Sequence, residues 1–255
     1  MLSDSQIIQY REQGYLLVES LFEQDELQRW SDYFESIVNN QSSLARGMVL
    51  MRDVMVAKKK VTPKSELHAV NKLMNFEDDP VLYGYVEHPK LVQVAIDLVG
   101  PDLYSLVTNV FNKPPDVDGR HPLHQDLRYF RMRPANQIVA AWTAISPANK
   151  DTGCLDVVPK SHLGPLLSHE LPAWDDVNFA FFGVKNHSNY QHVAIEMQPG
   201  DTLFFHPLLL HGSGRNQTQD FRRSISTHFA SSRCISPAPD WKSNDRVRSV
   251  RGSQS

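Results

Sequence analysis

Cysteine is scarce in this chain: Cys154 and Cys234 are the only two among 255 residues. Two thiols exclude a disulfide framework for a chain of this length, and they lack the clustered spacing of a zinc–thiolate site, so both are read as reduced and structural. Long charge-free apolar runs are also missing, although 41% of the residues are hydrophobic. That excludes a transmembrane helix, which needs about 20 apolar residues in succession, and predicts a soluble globular protein. Strong charge is absent too. A formal net charge of -3 gives no general attraction to nucleic acid or to an anionic membrane. The first residues, Met1-Leu-Ser-Asp-Ser-Gln6, have neither the basic start nor the apolar run of a secretory signal, and Arg251-Gly-Ser-Gln-Ser255 is not a Ser-Lys-Leu type address. The expectation is an intracellular protein, in peroxisome or cytoplasm, without a recognisable targeting signal. No repeat or low-complexity tract is present, and no motif identifies a protein partner.

What is present reads as one large β structure, 1–255 forming a single domain. Residues 4–13 predict a short helix capped by Ser3 or Asp4, and Gly14 permits a turn before a strand at 15–18. From 23 to 38, Leu27, Trp30, Phe34 and Ile37 return every three or four residues, the stripe of a helix packed on a core. Residues 49–56 read as a strand pair, 91–98 as a helix stopped by Gly100-Pro101, and 104–111 as a strand. Short β-prone runs then recur near 127–130, 137–145, 154–158, 192–197, 202–206 and 221–230, separated by Gly, Pro, Asp and Asn. This is the pattern of a β-sandwich or double-sheet barrel with the early helices packed on an outer face. Residues 160–191 carry Trp174, Phe179, Phe181, Phe182 and Tyr190 but few regular signals. They are either a lid over a site or an ordinary insertion.

The chemistry concentrates in His124-Gln125-Asp126, His211 and Arg222. On a strand, side chains repeat with period 2, so His124 and Asp126 would share a face and one ion, with His211 closing the site from a distant strand. Gln125 would point away, leaving it a role in orienting ligands from behind. Two neutral imidazoles and one carboxylate leave several positions of an ion open, which suits Fe(II) that must also hold a co-substrate and O₂. The blander alternative is coincidence, because 11 histidines and 29 acidic residues produce some His-x-Asp pairs, and Pro122 beside His121 admits a surface turn. A zinc hydrolase could use the same three residues. Arg222 opens a second pattern: Phe221, Ile225 and Phe229 fall on one face, and Arg222, Ser224, Ser226 and His228 on the other. Such a polar face would line a cavity, or else lie wet on a sheet surface. Arg223 breaks the alternation. Lys58-Lys59-Lys60 with Lys64 is a local basic patch, read as a solvated loop or as a contact for a phosphorylated substrate.

Taken together, His121-Pro-Leu-His-Gln-Asp-Leu-Arg-Tyr-Phe130, Ala141-Trp-Thr-Ala144, Gly153-Cys-Leu155, Phe205-His-Pro-Leu-Leu-Leu-His-Gly-Ser-Gly214, Asn112-Lys-Pro-Pro115, Phe221-Arg-Arg223 and Ser231-Ser-Arg-Cys234 resemble the phytanoyl-CoA hydroxylase, or phytanoyl-CoA dioxygenase, family over nearly the whole chain. The resemblance implies a mainly β fold, the double-stranded β-helix (jelly roll, cupin-like), with flanking helices. It implies Fe(II), with 2-oxoglutarate and O₂ as co-substrates and ascorbate as a stimulant. His124, Asp126 and His211 match the iron ligands, and Arg222 matches the residue that holds the far carboxylate of 2-oxoglutarate. A guanidinium suits that task as a planar two-donor fork. Trp142 and Ser213 match positions lining the co-substrate pocket, and Lys72 matches a lysine that contacts 2-oxoglutarate. From the residues alone, Lys72 could be a solvent-facing helix lysine and Trp142 plain core. A carboxylate at Asp126 implies hydroxylation, since related halogenating enzymes place a small residue there. The implied reaction is hydroxylation of a branched acyl-CoA at carbon 2, giving 2-hydroxyacyl-CoA, succinate and CO₂. Another acyl-CoA or small metabolite under the same mechanism, and a non-catalytic ligand-binding protein keeping the fold, are the alternatives. For CoA phosphates the candidate contacts are Lys58 to Lys60, Lys64, Arg128 and Arg131; neither nucleic acid nor membrane insertion is implied. The family's amino-terminal extension with a peroxisomal address finds no counterpart here.

Overall fold

Ser3 sets the first turn of the chain. Its hydroxyl accepts from the Gln6 N–H at 3.3 Å while Gln6 Oε1 accepts from the Ser3 N–H at 2.9 Å, a reciprocal cap that opens α1 (Asp4–Gln13). Gly14, at a φ of 85°, ends the helix in the left-handed region, and β1 (Tyr15–Val18) follows. The computed structural model from which this is read describes residues 1–255 except 186–189, 238–240, 251 and 253–255. α2 (Gln24–Val38) buries the predicted stripe. Residues 49–56 are not a strand pair: β2 (Val49–Arg52) stops because Asp53 accepts from the Met55 N–H at 2.8 Å and caps α3 (Val54–Ala57). α4 (Glu66–Ala69) runs into β3 (Val70–Met74), so Lys72 stands on a strand and not on a helix. Asp79, accepting from the N–H groups of Val81 and Leu82, and Pro80 together start α5 (Pro80–Val86). α6 (Pro89–Val99) ends at Gly100.

The remaining strands are β4 (Leu103–Lys113), β5 (His121–His124), β6 (Ile138–Ala144), β7 (Leu155–Val157), β8 (His169–Glu170), β9 (Gly183–Val184), β10 (Val193–Ile195), β11 (Thr202–Phe205), β12 (His211–Ser213), β13 (Arg222–Ser231) and β14 (Arg248–Ser249). A large antiparallel sheet has the order β1-β11-β6-β13-β4-β3-β2, with β14 on β4, and a smaller one the order β10-β7-β12-β5. The two sheets face each other as the expected jelly roll. Residues 127–130 are not a strand; Asp126–Tyr129 form a 3-10 turn. The Arg128 N–H closes back on Gln125 O at 3.1 Å and the Leu127 N–H reaches Pro207 O at 2.9 Å, which spends the donors a sheet partner would need.

Helices cover one face of the large sheet, where Leu27, Trp30, Phe34 and Tyr85 pack with Phe204, Ile225 and Phe229. Each such buried side chain contributes about 1.5–3 kcal/mol. Arg223 belongs to this helical side, where its guanidinium pairs with Glu35 at 2.7 Å and lies over Phe34. That partner explains the broken alternation in β13. Between the sheets, Trp142, Leu203 and Phe205 meet Leu155, Val157 and Ile195. Cys154 and Cys234 are free and buried, and burial pushes both thiols up to about 11. Among the described residues no helix is long and apolar enough to cross a membrane.

Candidate active site

The inner faces of the sheets enclose a cavity of about 320 Å³, into which β13 projects Arg222, Ser226 and His228. At its wall the end of β5 pairs with the start of β12, His124 opposite His211. Asp126 lies past the end of β5, in the 3-10 turn, so a turn and not a pleat brings it beside His124. The three side chains still converge: one ligand atom from each of His124, Asp126 and His211 lies within 4.8 Å of the others. All are buried, at 7%, 8% and 5% exposure.

Hydrogen bonds fix which nitrogens face inward. His124 Nδ1 lies 2.8 Å from Pro122 O and His211 Nδ1 3.0 Å from Leu209 O. A carbonyl can only accept, so each Nδ1 carries the proton and each neutral ring turns its Nε2 lone pair toward Asp126 Oδ1, at 3.2 Å and 3.7 Å. Three acceptor atoms facing one another in a buried space repel unless a cation lies among them, and imidazole with carboxylate is a donor set that suits ferrous iron. On this ground the residues fit a metal. Burial pushes His211 down to about 4, against the pull of Asp126, which keeps its lone pair available near neutral pH. For Asp126 burial works upward, but hydrogen bonding to neighbouring imidazole, His228 above all, outweighs it and holds the carboxyl well below its usual range. His228, for which the sequence suggests no role beyond the polar face, donates its Nε2–H to Asp126 Oδ2 at 2.8 Å.

The other predicted residues lie around this centre in two ways. Arg222, Trp142, Ser213 and Lys72 all line the cavity. Arg222 Nη1 donates to Ser224 Oγ at 3.1 Å and its guanidinium carbon stands 5.3 Å from the Trp142 ring centre, while its buried Nε has no partner. Burial pushes it down to about 10. An orphan guanidinium donor in a cavity fits a carboxylate. Lys72 is half-buried with Nζ 4.7 Å from the Phe111 ring centre, and burial pushes it down to about 8. Gln125 turns away from the cluster: its amide donates to Leu208 O at 2.8 Å and Pro165 O at 3.2 Å, and its Oε1 accepts from the Leu167 N–H at 2.8 Å. It ties two loops to the strand end, and these side-chain hydrogen bonds run to the loops and not to the three converging side chains. Lys113 was not singled out by sequence reasoning, although it lines the cavity and donates to Ser213 Oγ at 2.8 Å. Period 2 along Val107, Asn109, Phe111 and Lys113 would have put it there.

Of the segment 160–191, Ala180 and Phe181 line the cavity, and 186–189 lie outside the described residues. Phe181 lines the cavity and stacks on His121 with ring centres 3.8 Å apart, while Phe179 is exposed. Trp174 lies under Arg120, and Asp176 pairs with Lys60 at 2.7 Å and Lys58 at 3.6 Å. Lys64 pairs with Asp116 at 2.8 Å, so most of the basic patch already has counter-charges.

A family model described as phytanoyl-CoA dioxygenase (PhyH) matches residues 10–224. The chain is 42% identical over 238 residues to the "Probable phytanoyl-CoA dioxygenase" of Caenorhabditis elegans, covering 90% of this chain and 76% of that protein. It is 40% identical over 230 residues to the "Phytanoyl-CoA dioxygenase, peroxisomal" of Homo sapiens, covering 88% and 67%. Among solved structures, the non-heme alpha ketoglutarate dependent carbocyclase SnoK from nogalamycin biosynthesis superposes with a TM-score of 0.70 at 20% identity, over 92% of this chain and 86% of that one. The apoform of EctD from S. alaskensis superposes with a TM-score of 0.70 at 16% identity, over 93% and 80%. At such identities the structural likeness concerns the fold.

Proposed function

We propose, for a chain that belongs to the phytanoyl-CoA dioxygenase family and is an iron- and 2-oxoglutarate-dependent dioxygenase, that His124, Asp126 and His211 hold the ferrous ion and Arg222 the far carboxylate of 2-oxoglutarate. The observation that carries this assignment is the convergence of three buried acceptors on one point, with the unpartnered Nε of Arg222 in the same cavity. When bound, iron, 2-oxoglutarate and O₂ supply oxidative decarboxylation to succinate and CO₂, coupled to insertion of one oxygen atom into a substrate C–H bond. The chain's own part is placement. The backbone carbonyls of Pro122 and Leu209 orient the two imidazoles, and His228 fixes the carboxylate from behind. Arg222 reads a carboxylate through its fork, with Trp142 beside it restricting where that carboxylate can lie. Phe181 and His121 close one wall against water.

The substrate in this proposal is a branched acyl-CoA hydroxylated at carbon 2, after the names of the relatives. Met51, Met74, Phe111 and Phe181 offer its acyl chain an apolar wall. With Lys58, Lys60 and Lys64 already paired, Arg128 and Arg131, which border an open groove beside Phe130, are the better phosphate contacts. Residues 1–255 form one dioxygenase domain in this proposal, with the described part of 160–191 as its lid, working in peroxisome or cytoplasm; the bovine, rodent and human relatives are named peroxisomal. Anaerobic reconstitution with Fe(II) and 2-oxoglutarate, then O₂ with phytanoyl-CoA, straight-chain acyl-CoAs, free phytanic acid or a metabolite mixture, tests the whole reading. A 2-hydroxyacyl-CoA formed in step with succinate is expected. Coupled hydroxylation of some other metabolite alone overturns the substrate; no succinate under any condition leaves a ligand-binding protein that keeps the fold.

A further inference from the structure

Lys113, the last residue of β4, sits with its Cα directly across from that of Arg222 on β13. Like charges so placed repel, and both side chains are buried, each 3% exposed. Their hydrogen-bond partners among the described residues are neutral: Lys113 Nζ donates to Ser213 Oγ at 2.8 Å and to the Gly214 carbonyl, and Arg222 donates to Ser224 Oγ. Asp118, whose charge reaches Lys113, is already paired with both Arg120 and Arg215. Two adjoining cations buried in one cavity are costly to keep unless an anion joins them. The lysine is also held in place. Asn216 donates to its backbone carbonyl at 3.0 Å, and a side chain at Gly119 would come within 3.1 Å of its Cγ.

An ammonium has three donors and no acceptor, so one donor remains after Ser213 and Gly214. Because Ser213 Oγ accepts from Lys113, the serine's own O–H is left to donate elsewhere, and the cavity is where it faces. We propose that Lys113 is a positioning residue for the co-substrate: it fixes Ser213 as a donor and adds a second positive charge beside Arg222, so that the pocket selects a 2-oxo acid bearing a second, distal carboxylate. This rests on the reading of Arg222 as the co-substrate anchor. Burial of the lysine, which pushes its ammonium well below the usual range, agrees with a site that needs a bound anion to complete it.

The test compares binding of 2-oxoglutarate, glutarate and 2-oxobutyrate to the Mn(II)-loaded protein by calorimetry, with thermal unfolding as the control for folding. Lys113→Met should weaken 2-oxoglutarate and glutarate by about 10- to 100-fold, the worth of a charge-assisted hydrogen bond. Binding of 2-oxobutyrate, which lacks the distal carboxylate, should not change. In a Ser213→Ala background the same substitution should cost less, because part of its action passes through that hydroxyl. Lys113→Arg should recover part of the loss, and in turnover the KM for 2-oxoglutarate should rise with kcat nearly intact. If Lys113→Met does not fold, Lys113→Gln keeps donors for Ser213 and Gly214, removes the charge and carries the same comparison. Equal losses for 2-oxoglutarate and 2-oxobutyrate, or none for either, overturn the proposal. Failure of the unaltered protein to bind 2-oxoglutarate would instead sink the anchor reading on which it rests.

Discussion

Replacing His228 with phenylalanine isolates a single hydrogen bond to the proposed metal site. The imidazole donates to Asp126 Oδ2 at 2.8 Å and packs on Phe130 with ring centres 4.9 Å apart, so a phenyl ring keeps the packing and deletes the donor. Asp126 is 8% exposed, which leaves water little access to take the donor's place. A hydrogen bond to a charged group is worth about 1.5–3 kcal/mol. The loss reaches the metal through geometry: Oδ1 is aimed between the Nε2 atoms of His124 and His211, at 3.2 Å and 3.7 Å, and a carboxylate freed at Oδ2 can rotate out of that aim. Outer partners of ligands are typically worth about 10- to 100-fold in metal affinity, or about 1.4–2.7 kcal/mol, so the two estimates agree. Competition against a chromophoric chelator under anaerobic conditions gives the Fe(II) affinity, and thermal unfolding reports whether the fold survives. His228→Gln, which restores an N–H near the carboxylate, should recover part of the affinity. Native unfolding with unchanged affinity in His228→Phe would refute the idea that this bond orients Asp126.

Arg222→Met should raise the 2-oxoglutarate requirement by about 100-fold or more, and Arg222→Lys should restore only part, since a point charge lacks the fork; an unchanged KM in both places the anchor elsewhere. Gln125→Leu removes two donors and one acceptor shared with Pro165, Leu167 and Leu208 and should lower stability to denaturant by about 2–5 kcal/mol, with faster proteolysis near residue 165. Unaltered stability and cleavage would show that it ties nothing together. Burial pushes His206 down to about 4 from 6.5, and its Nδ1 accepts from the Leu208 N–H at 3.1 Å. With the folded value below the unfolded one, its contribution is complete above pH 6.5 and is lost as pH falls toward 4, by about 3 kcal/mol at most. His206→Gln should therefore flatten the dependence of Tm on pH in that window, and an unchanged slope would mean that His206 gains no shift on folding.

Local rules carried much of the fold. The stripe of Leu27, Trp30, Phe34 and Ile37 defines α2, and alternation over 221–229 defines which side of β13 lines the cavity. α5 went unread although Asp79-Pro80 is both a capping residue and a first-turn proline; a short helix with no clear stripe gives periodicity too little length to register. Asp53 ended a run that apolar composition alone would have continued as a strand. In both places a single carboxylate, accepting from backbone N–H groups, outweighs the hydrophobic pattern around it.

The site shows where such reasoning stops. His124, Asp126 and His211 do come together, yet Asp126 opens a 3-10 turn and does not continue the pleated strand that the spacing predicts. Spacing of two residues serves either geometry, which is why the motif was legible before its conformation was. The partners behind the motif were not. His228 reaches Asp126 across 102 residues of chain and Lys113 reaches Ser213 across 100. Their placement depends on how β13 aligns with β4, where Arg222 meets Lys113 and Ser226 meets Asn109, and on a register shift after His228. A slip of one residue in that pairing would send each of these side chains to the opposite face. Local alternation gives the two faces of each strand; the coincidence of Lys113 with Arg222 needs the register between two strands distant in sequence. The residues that tune the proposed centre therefore became visible only with the sheet assembled.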